Sequence, residues 1–125
     1  MIEGLGIDIV NISRMEKLSE AVIRRLFHPQ EVAFALQLEP KRKCEYLSGR
    51  FAAKEALGKA LGTGMAGMRP SDICIDANPE GKPFMVLYGS AKALVGERAV
   101  LLSISHDHPV ATAIVLLQGG SDASH

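Results

Sequence analysis

The longest helical pattern in the chain runs from Lys41 to Leu61, and it ends in the glycine-rich run Gly62-Thr63-Gly64-Met65-Ala66-Gly67. Residues on a helix turn by about 100° each. Leu47, Phe51, Gly58 and Leu61 therefore form one apolar stripe, with Lys54 near its centre. A lysine there is expected to snorkel, its methylenes buried and its amine in water. Glu55 lies on the shoulder of the stripe, one turn before Lys59, a spacing that gives a surface ion pair worth a few tenths of a kcal/mol.

Strand and turn signals flank this helix. Residues 2–10 alternate as a strand with Ile7 and Ile9 on one face and Asp8 on the other. Asn11 or Ser13 caps a helix running toward Phe27, and Pro29 opens another through about Leu38, stopped by Pro40. Ile73–Asp76 and Phe84–Leu87 read as a hairpin around the turn formers from Asn78 to Pro83. A short helix over Ser90–Gly96 precedes two apolar strands, Ala99–His106 and Val110–Leu117. The class is α+β, an antiparallel sheet packed on one long helix. Residues 1–118 form a single domain, and 119–125 a disordered tail.

Composition narrows the function. Of 125 residues, 47% are apolar and 22% charged, as in ordinary globular domains. Lysine plus arginine equals aspartate plus glutamate at 14 each, so no overall field selects nucleic acid or an anionic membrane. Basic character is concentrated in residues 1–60, which carry ten basic and eight acidic groups. Cys44 and Cys74 lack CxxC spacing and read as reduced, buried thiols. The N-terminal residues have no basic and apolar leader pattern, and no run is long enough to span a bilayer. A cytoplasmic protein is expected.

Asp8, between isoleucines, needs a partner or a wet cleft. A strand aspartate and a helix glutamate, Asp8 and Glu55, suit a hard cation such as Mg²⁺, which takes its other ligands from water and substrate phosphates. Lysine, arginine or histidine nearby would neutralise those phosphates. Residues 11–28 carry Arg14, Lys17, Arg24 and Arg25 against Glu16 and Glu20, a strip equally readable as a solvated helix face or as a steering surface. The run Gly62–Gly67 lacks the Walker pattern. His106, taken alone, reads as a hydrogen-bonded strand-end residue, and His108 as a turn residue.

Gly6-Ile7-Asp8-Ile9-Val10, Gly49-Arg50-Phe51-Ala52-Ala53-Lys54-Glu55-Ala56 and Ser103-Ile104-Ser105-His106 resemble, in order and spacing, the three signatures of the holo-acyl-carrier-protein synthases, which are 4'-phosphopantetheinyl transferases. Gly81-Lys82-Pro83 is a weaker match. The resemblance covers residues 1 to about 117. It implies transfer of 4'-phosphopantetheine from coenzyme A to a serine of apo-acyl-carrier protein, a step of fatty acid biosynthesis that releases adenosine 3',5'-bisphosphate. Asp8 and Glu55 would bind Mg²⁺. Glu55 and Lys59 would be catalytic. Arg42, Arg50, Lys59 and His106 would contact coenzyme A, and Arg14, Arg24 and Arg25 the carrier protein. Two-lobed relatives tend to carry a second acid where this chain has Val10, so the resemblance is to the short branch, which forms homotrimers with active sites between subunits. Candidates for taking the serine proton are Glu55, a water on the ion, and His106. Competing readings are a nucleotide pyrophosphatase using water as acceptor, and a nucleotide-binding module without turnover.

Overall fold

A helix begins where a side chain can satisfy its first free amides. For the long helix Glu39 does so: its carboxylate accepts from the amides of Lys41 and Arg42 at 2.7 and 3.2 Å. Pro40 takes the first helical position, where a missing N–H costs nothing. The proline expected to stop one helix thus starts the next. Gly62, with φ of 79°, closes this helix in the left-handed conformation that favours glycine.

The computed structural model describes residues 1–119. Apart from Gly119, the expected disordered tail lies outside the described residues. In chain order the elements are β1 (Ile2–Asn11), α1 (Glu20–Leu26), α2 (Pro29–Ala35), α3 (Pro40–Leu61), β2 (Ile73–Ala77), β3 (Pro83–Leu87), α4 (Gly89–Val95), β4 (Ala99–Asp107) and β5 (Val110–Gln118), with 3-10 turns at Ile12–Lys17 and Pro70–Asp72. The single helix expected from Asn11 to Phe27 is two pieces. Asn11 caps only the 3-10 turn, Leu18 is extended, and Ser19 starts α1 afresh by accepting from the Val22 amide at 3.2 Å. Helix α2 ends at Ala35, short of Leu38, because the residue before Pro40 is held extended and the chain must unwind to reach it.

Strands β1, β5 and β4 form one antiparallel sheet in that order, while β2 and β3 form a separate hairpin. Ala113 on the central strand pairs with Asp8 on one side and Ile104 on the other. One face of this sheet, with Val10, Ala111, Ala113, Val115 and Leu117 buried, lies on α3. The helix meets it with small residues, Ala52, Ala53, Ala56 and Ala60, all buried. Gly6 completes the fit, since a Cβ there would run into the Ala56 carbonyl oxygen. Close packing of strand on helix is what brings Asp8 to α3. On the opposite face Leu5, Ile7, Ile9, Leu101 and Ile114 remain exposed.

Candidate active site

Two residues beyond Gly6, on the same face of β1, Asp8 points to α3. Its Oδ1 accepts from Lys59 Nζ at 2.9 Å, and its backbone carbonyl accepts from the Thr112 hydroxyl at 2.8 Å. The expected ion pair along the helix, between Glu55 and Lys59, is therefore replaced by one across elements. Asp8 is largely covered, with a side chain 15% exposed, whereas Lys59 is 53% exposed. Burial pushes the Glu55 carboxyl up, and the Asp8 charge pushes it further, with Lys59 and Arg14 opposing.

Glu55 thus lies close enough to Asp8 to feel its charge, at an open seam between β1 and α3. That is a donor set a hard divalent cation relieves. Among the described residues no group of three or more His, Cys, Asp or Glu gathers, so the remaining ligands of such an ion would be water or phosphate oxygens. Val10, two residues further along β1, is buried in the core.

A second cluster forms on another side of α3. Arg42, Arg50 and His106, with Tyr46 and Gly49, line a cleft of about 190 Å³. The Arg50 guanidinium lies 4.1 Å from the Tyr46 ring centroid. Its Nε is buried and has no hydrogen-bond partner among the described residues. Burial pushes the Tyr46 hydroxyl up to about 12 although Arg50 pulls it down. Glu55 and Arg50 are five residues apart, about 140° around the helix axis. Within one chain the sequence-expected residues therefore gather as two groups, Asp8 with Glu55 and Lys59, and Arg42 with Arg50 and His106. His106 itself is exposed on the cleft wall.

Arg14 sits on the 3-10 turn with its guanidinium carbon 5.9 Å from the Phe51 ring centroid, near enough to Glu55 to lower its carboxyl. Arg24 and Arg25 are exposed on the last turn of α1, and Arg24 is held by Glu20 at 2.7 Å. The strip is thus two segments, with Arg14 beside the acidic pair.

Lys54 does not snorkel. It is completely buried, and its Nζ donates to Glu31 Oε1 at 2.6 Å and to the carbonyls of Ile73, Pro70 and Leu26 at 2.7, 2.8 and 3.2 Å. Burial pushes its ammonium down, with Glu31 holding it up. Glu31 also accepts from the amides of His28 and Ile75, both at 2.9 Å. Sequence reasoning passes over Glu31. Its capping-box place three residues after His28 is the available signal, but that spacing says nothing of a partner on α3.

Residues 4–113 match the model of the 4'-phosphopantetheinyl transferase superfamily. The chain is 40% identical to the holo-[acyl-carrier-protein] synthase of Treponema denticola and 42% identical to that of Clostridium acetobutylicum. These alignments cover 95% and 94% of this chain and 100% and 98% of the relatives. A crystal structure of the Bacillus anthracis synthase in complex with coenzyme A (3',5'-ADP) superposes with a TM-score of 0.85 at 37% identity, over 96% of this chain and 99% of that one. The Helicobacter pylori synthase in complex with coenzyme A gives 0.76 at 32% identity, over 91% and 99%. The chain belongs to the holo-[acyl-carrier-protein] synthase family of 4'-phosphopantetheinyl transferases.

Proposed function

We infer that Asp8, Glu55 and Lys59 form the reacting centre of this enzyme, which transfers 4'-phosphopantetheine from coenzyme A to a serine of apo-acyl-carrier protein. The serine oxygen attacks the β-phosphorus, the bond from that phosphorus to the bridging oxygen breaks, and adenosine 3',5'-bisphosphate leaves. Catalysis of such a step is mostly positioning and neutralisation of charge on the phosphoryl oxygens. The observation that carries this reading is the Asp8–Lys59 contact beside a Glu55 whose ionisation burial, and then the Asp8 charge, oppose.

Asp8 and Glu55 would hold Mg²⁺, which would supply positive charge to the pyrophosphate. Lys59, half exposed and tethered to Asp8, turns onto a phosphoryl oxygen when substrate arrives. Glu55 accepts the serine proton. Arg42, Arg50 and His106 bind coenzyme A, and the unpartnered Arg50 Nε is one donor free for a phosphate. Arg14, Arg24 and Arg25 receive the acidic carrier protein.

The enzyme works as a homotrimer with each site shared between subunits. Two features support this: the coenzyme A cluster and the acidic pair face different sides of α3, and Leu5, Ile7, Ile9, Leu101 and Ile114 leave an apolar sheet face uncovered. Strand β1 thereby joins the expected β4 and β5 at the interface. A cytoplasmic place in fatty acid biosynthesis agrees with the two free, buried cysteines, and among the described residues no helix is long and apolar enough to cross a membrane.

Intact-mass measurement of an apo carrier protein incubated with enzyme, coenzyme A and Mg²⁺ tests the reading. A phosphopantetheine-sized gain that chelation abolishes is expected. Loss of coenzyme A without any gain by the carrier would make the chain a pyrophosphatase instead.

A further inference from the structure

We propose that Lys54, which touches neither substrate, is a positioning residue that sets where the carrier protein docks relative to the reacting centre. The proposal rests on the reading of Arg14, Arg24 and Arg25 as the carrier-binding strip. Lys54 has no solvent exposure, so it cannot meet the carrier itself. Its ammonium nevertheless joins the strip to α3. One bond goes to the carbonyl of Leu26, the last residue of α1, directly after Arg24 and Arg25. Another goes to Glu31 on α2, whose same oxygen holds the His28 amide and so fixes the corner between α1 and α2.

The remaining end of the strip is reached through aromatic contacts. Lys54 Nζ lies 5.0 Å from the Phe27 ring centroid, Phe27 packs against Phe51 at 6.4 Å, and Arg14 lies over Phe51. Both segments of the strip are thus referenced to one buried ammonium on the residue next to Glu55. An apolar side chain of equal length would fill the same space against Phe27, but it would leave Glu31 buried without its cation, free the Leu26 carbonyl and let α1 shift as a unit. Short α1, only Glu20–Leu26, has little of its own to resist such a shift.

The test is steady-state kinetics with apo-acyl-carrier protein and coenzyme A varied separately, the active-enzyme concentration being taken from coenzyme A binding. Lys54→Met should raise KM for the carrier protein about tenfold, while KM for coenzyme A and the Mg²⁺ dependence stay within about twofold. The triple variant Arg14→Ala, Arg24→Ala, Arg25→Ala should raise the same KM, and adding Lys54→Met to it should change little more. Should Lys54→Met fail to fold, Glu31→Gln keeps the shape and the three carbonyl acceptors and should raise the carrier KM by about threefold. A loss of active enzyme with both KM values unchanged, or a parallel rise in both, would make Lys54 merely structural. A full multiplicative effect of Lys54→Met on the triple variant would do the same while leaving the strip intact. If the triple variant itself spares the carrier KM, the strip is misassigned and the proposal falls with it.

Discussion

Five residues apart on α3, Lys54 and Lys59 each pair with a carboxylate from another element, in opposite surroundings. Lys54 and Glu31 are both dry, and every proton of the ammonium has a nearby acceptor among one carboxylate and three carbonyls. Among the described residues Lys59 donates to Asp8 alone, and it keeps half its side chain in water. Taking two charges out of water costs several kcal/mol per ion, offset only where the geometry is complete. The buried pair therefore has one arrangement and no alternatives, which suits a fastening. The open pair loses little when it separates, because water or a phosphate replaces the partner. One helix thus carries a fixed cation and an exchangeable one, and the difference lies in what surrounds them.

The contrast breaks most visibly when one member of each pair is removed. Lys54→Ala leaves Glu31 charged and buried without its partner, so a loss of about 3–5 kcal/mol is expected, read as a fall in Tm of more than about 10 °C or as failure to fold. Asp8→Ala should leave the fold within about 1 kcal/mol of the parent, since it deletes one strand carboxylate at an open seam. The same change should lower kcat by about a thousandfold. Thermal unfolding and transfer assays on both variants check this. Near-normal stability for Lys54→Ala, or near-normal turnover for Asp8→Ala in limiting Mg²⁺, would show that the pairs are not divided in this way.

That division is only half legible in the sequence. Helical periodicity places Lys54 in an apolar stripe, and the family resemblance, carried by the strand motif around Asp8 and the helix motif around Glu55, places Asp8, Glu55 and Lys59 at the site. Periodicity treats a helix as having one buried face, however, and α3 is buried on several because the sheet, the 3-10 turn at Ile12–Lys17, α2 and β2 surround it. Snorkelling is the expectation for Lys54 because Glu31 lies 23 residues away, beyond any spacing rule. Likewise the i,i+4 rule assigns Lys59 to Glu55, and only the approach of Gly6 to Ala56 brings Asp8 within reach instead. Strand and hairpin limits read to within a residue or so, since alternation and turn formers are local. The break at Leu18 escapes such reading because Ser19 starts a new helix inside what looks like one amphipathic run.

A smaller effect should follow from reversing charges on the strip. Arg14→Glu with Arg24→Glu puts repulsion where an acidic partner approaches, so KM for the carrier protein should rise about tenfold and KM for coenzyme A stay nearly constant. Exposed charges act mainly on association and are screened by salt, so the parent rate should fall as ionic strength rises while the variant's dependence flattens or inverts. Arg14 lies beside Glu55 as well as on the strip. Separating the two single variants sharpens the assignment: Arg24→Glu should move the carrier KM alone, and Arg14→Glu should lower kcat too. A coenzyme A effect from Arg24→Glu would mean the two basic clusters are exchanged.

The smallest effect concerns the open pair's neighbour. Glu55 ionises less readily in the folded chain than in the unfolded one, because burial and then the Asp8 charge oppose it. Below the ordinary glutamate range the carboxyl is protonated in both states and costs nothing. As pH rises, the unfolded chain ionises first, so stability is lost across the interval from the ordinary value up to the raised one and stays lost above it. A carboxamide cannot ionise, so Glu55→Gln escapes that loss. In the presence of a chelator the variant should therefore melt about 2 °C above the parent at pH 7, the scale of one half-exposed like-charge pair screened by solvent. At about pH 3.5, where glutamate is largely protonated, the difference should vanish. Adding Mg²⁺ at pH 7 should reverse the order, because a cation held by both carboxylates stabilises the parent and has lost one ligand in the variant. A parent that melts above Glu55→Gln at pH 7 even under chelation would mean that Lys59 and Arg14 already outweigh the repulsion from Asp8, and that the seam has no unmet demand for a cation.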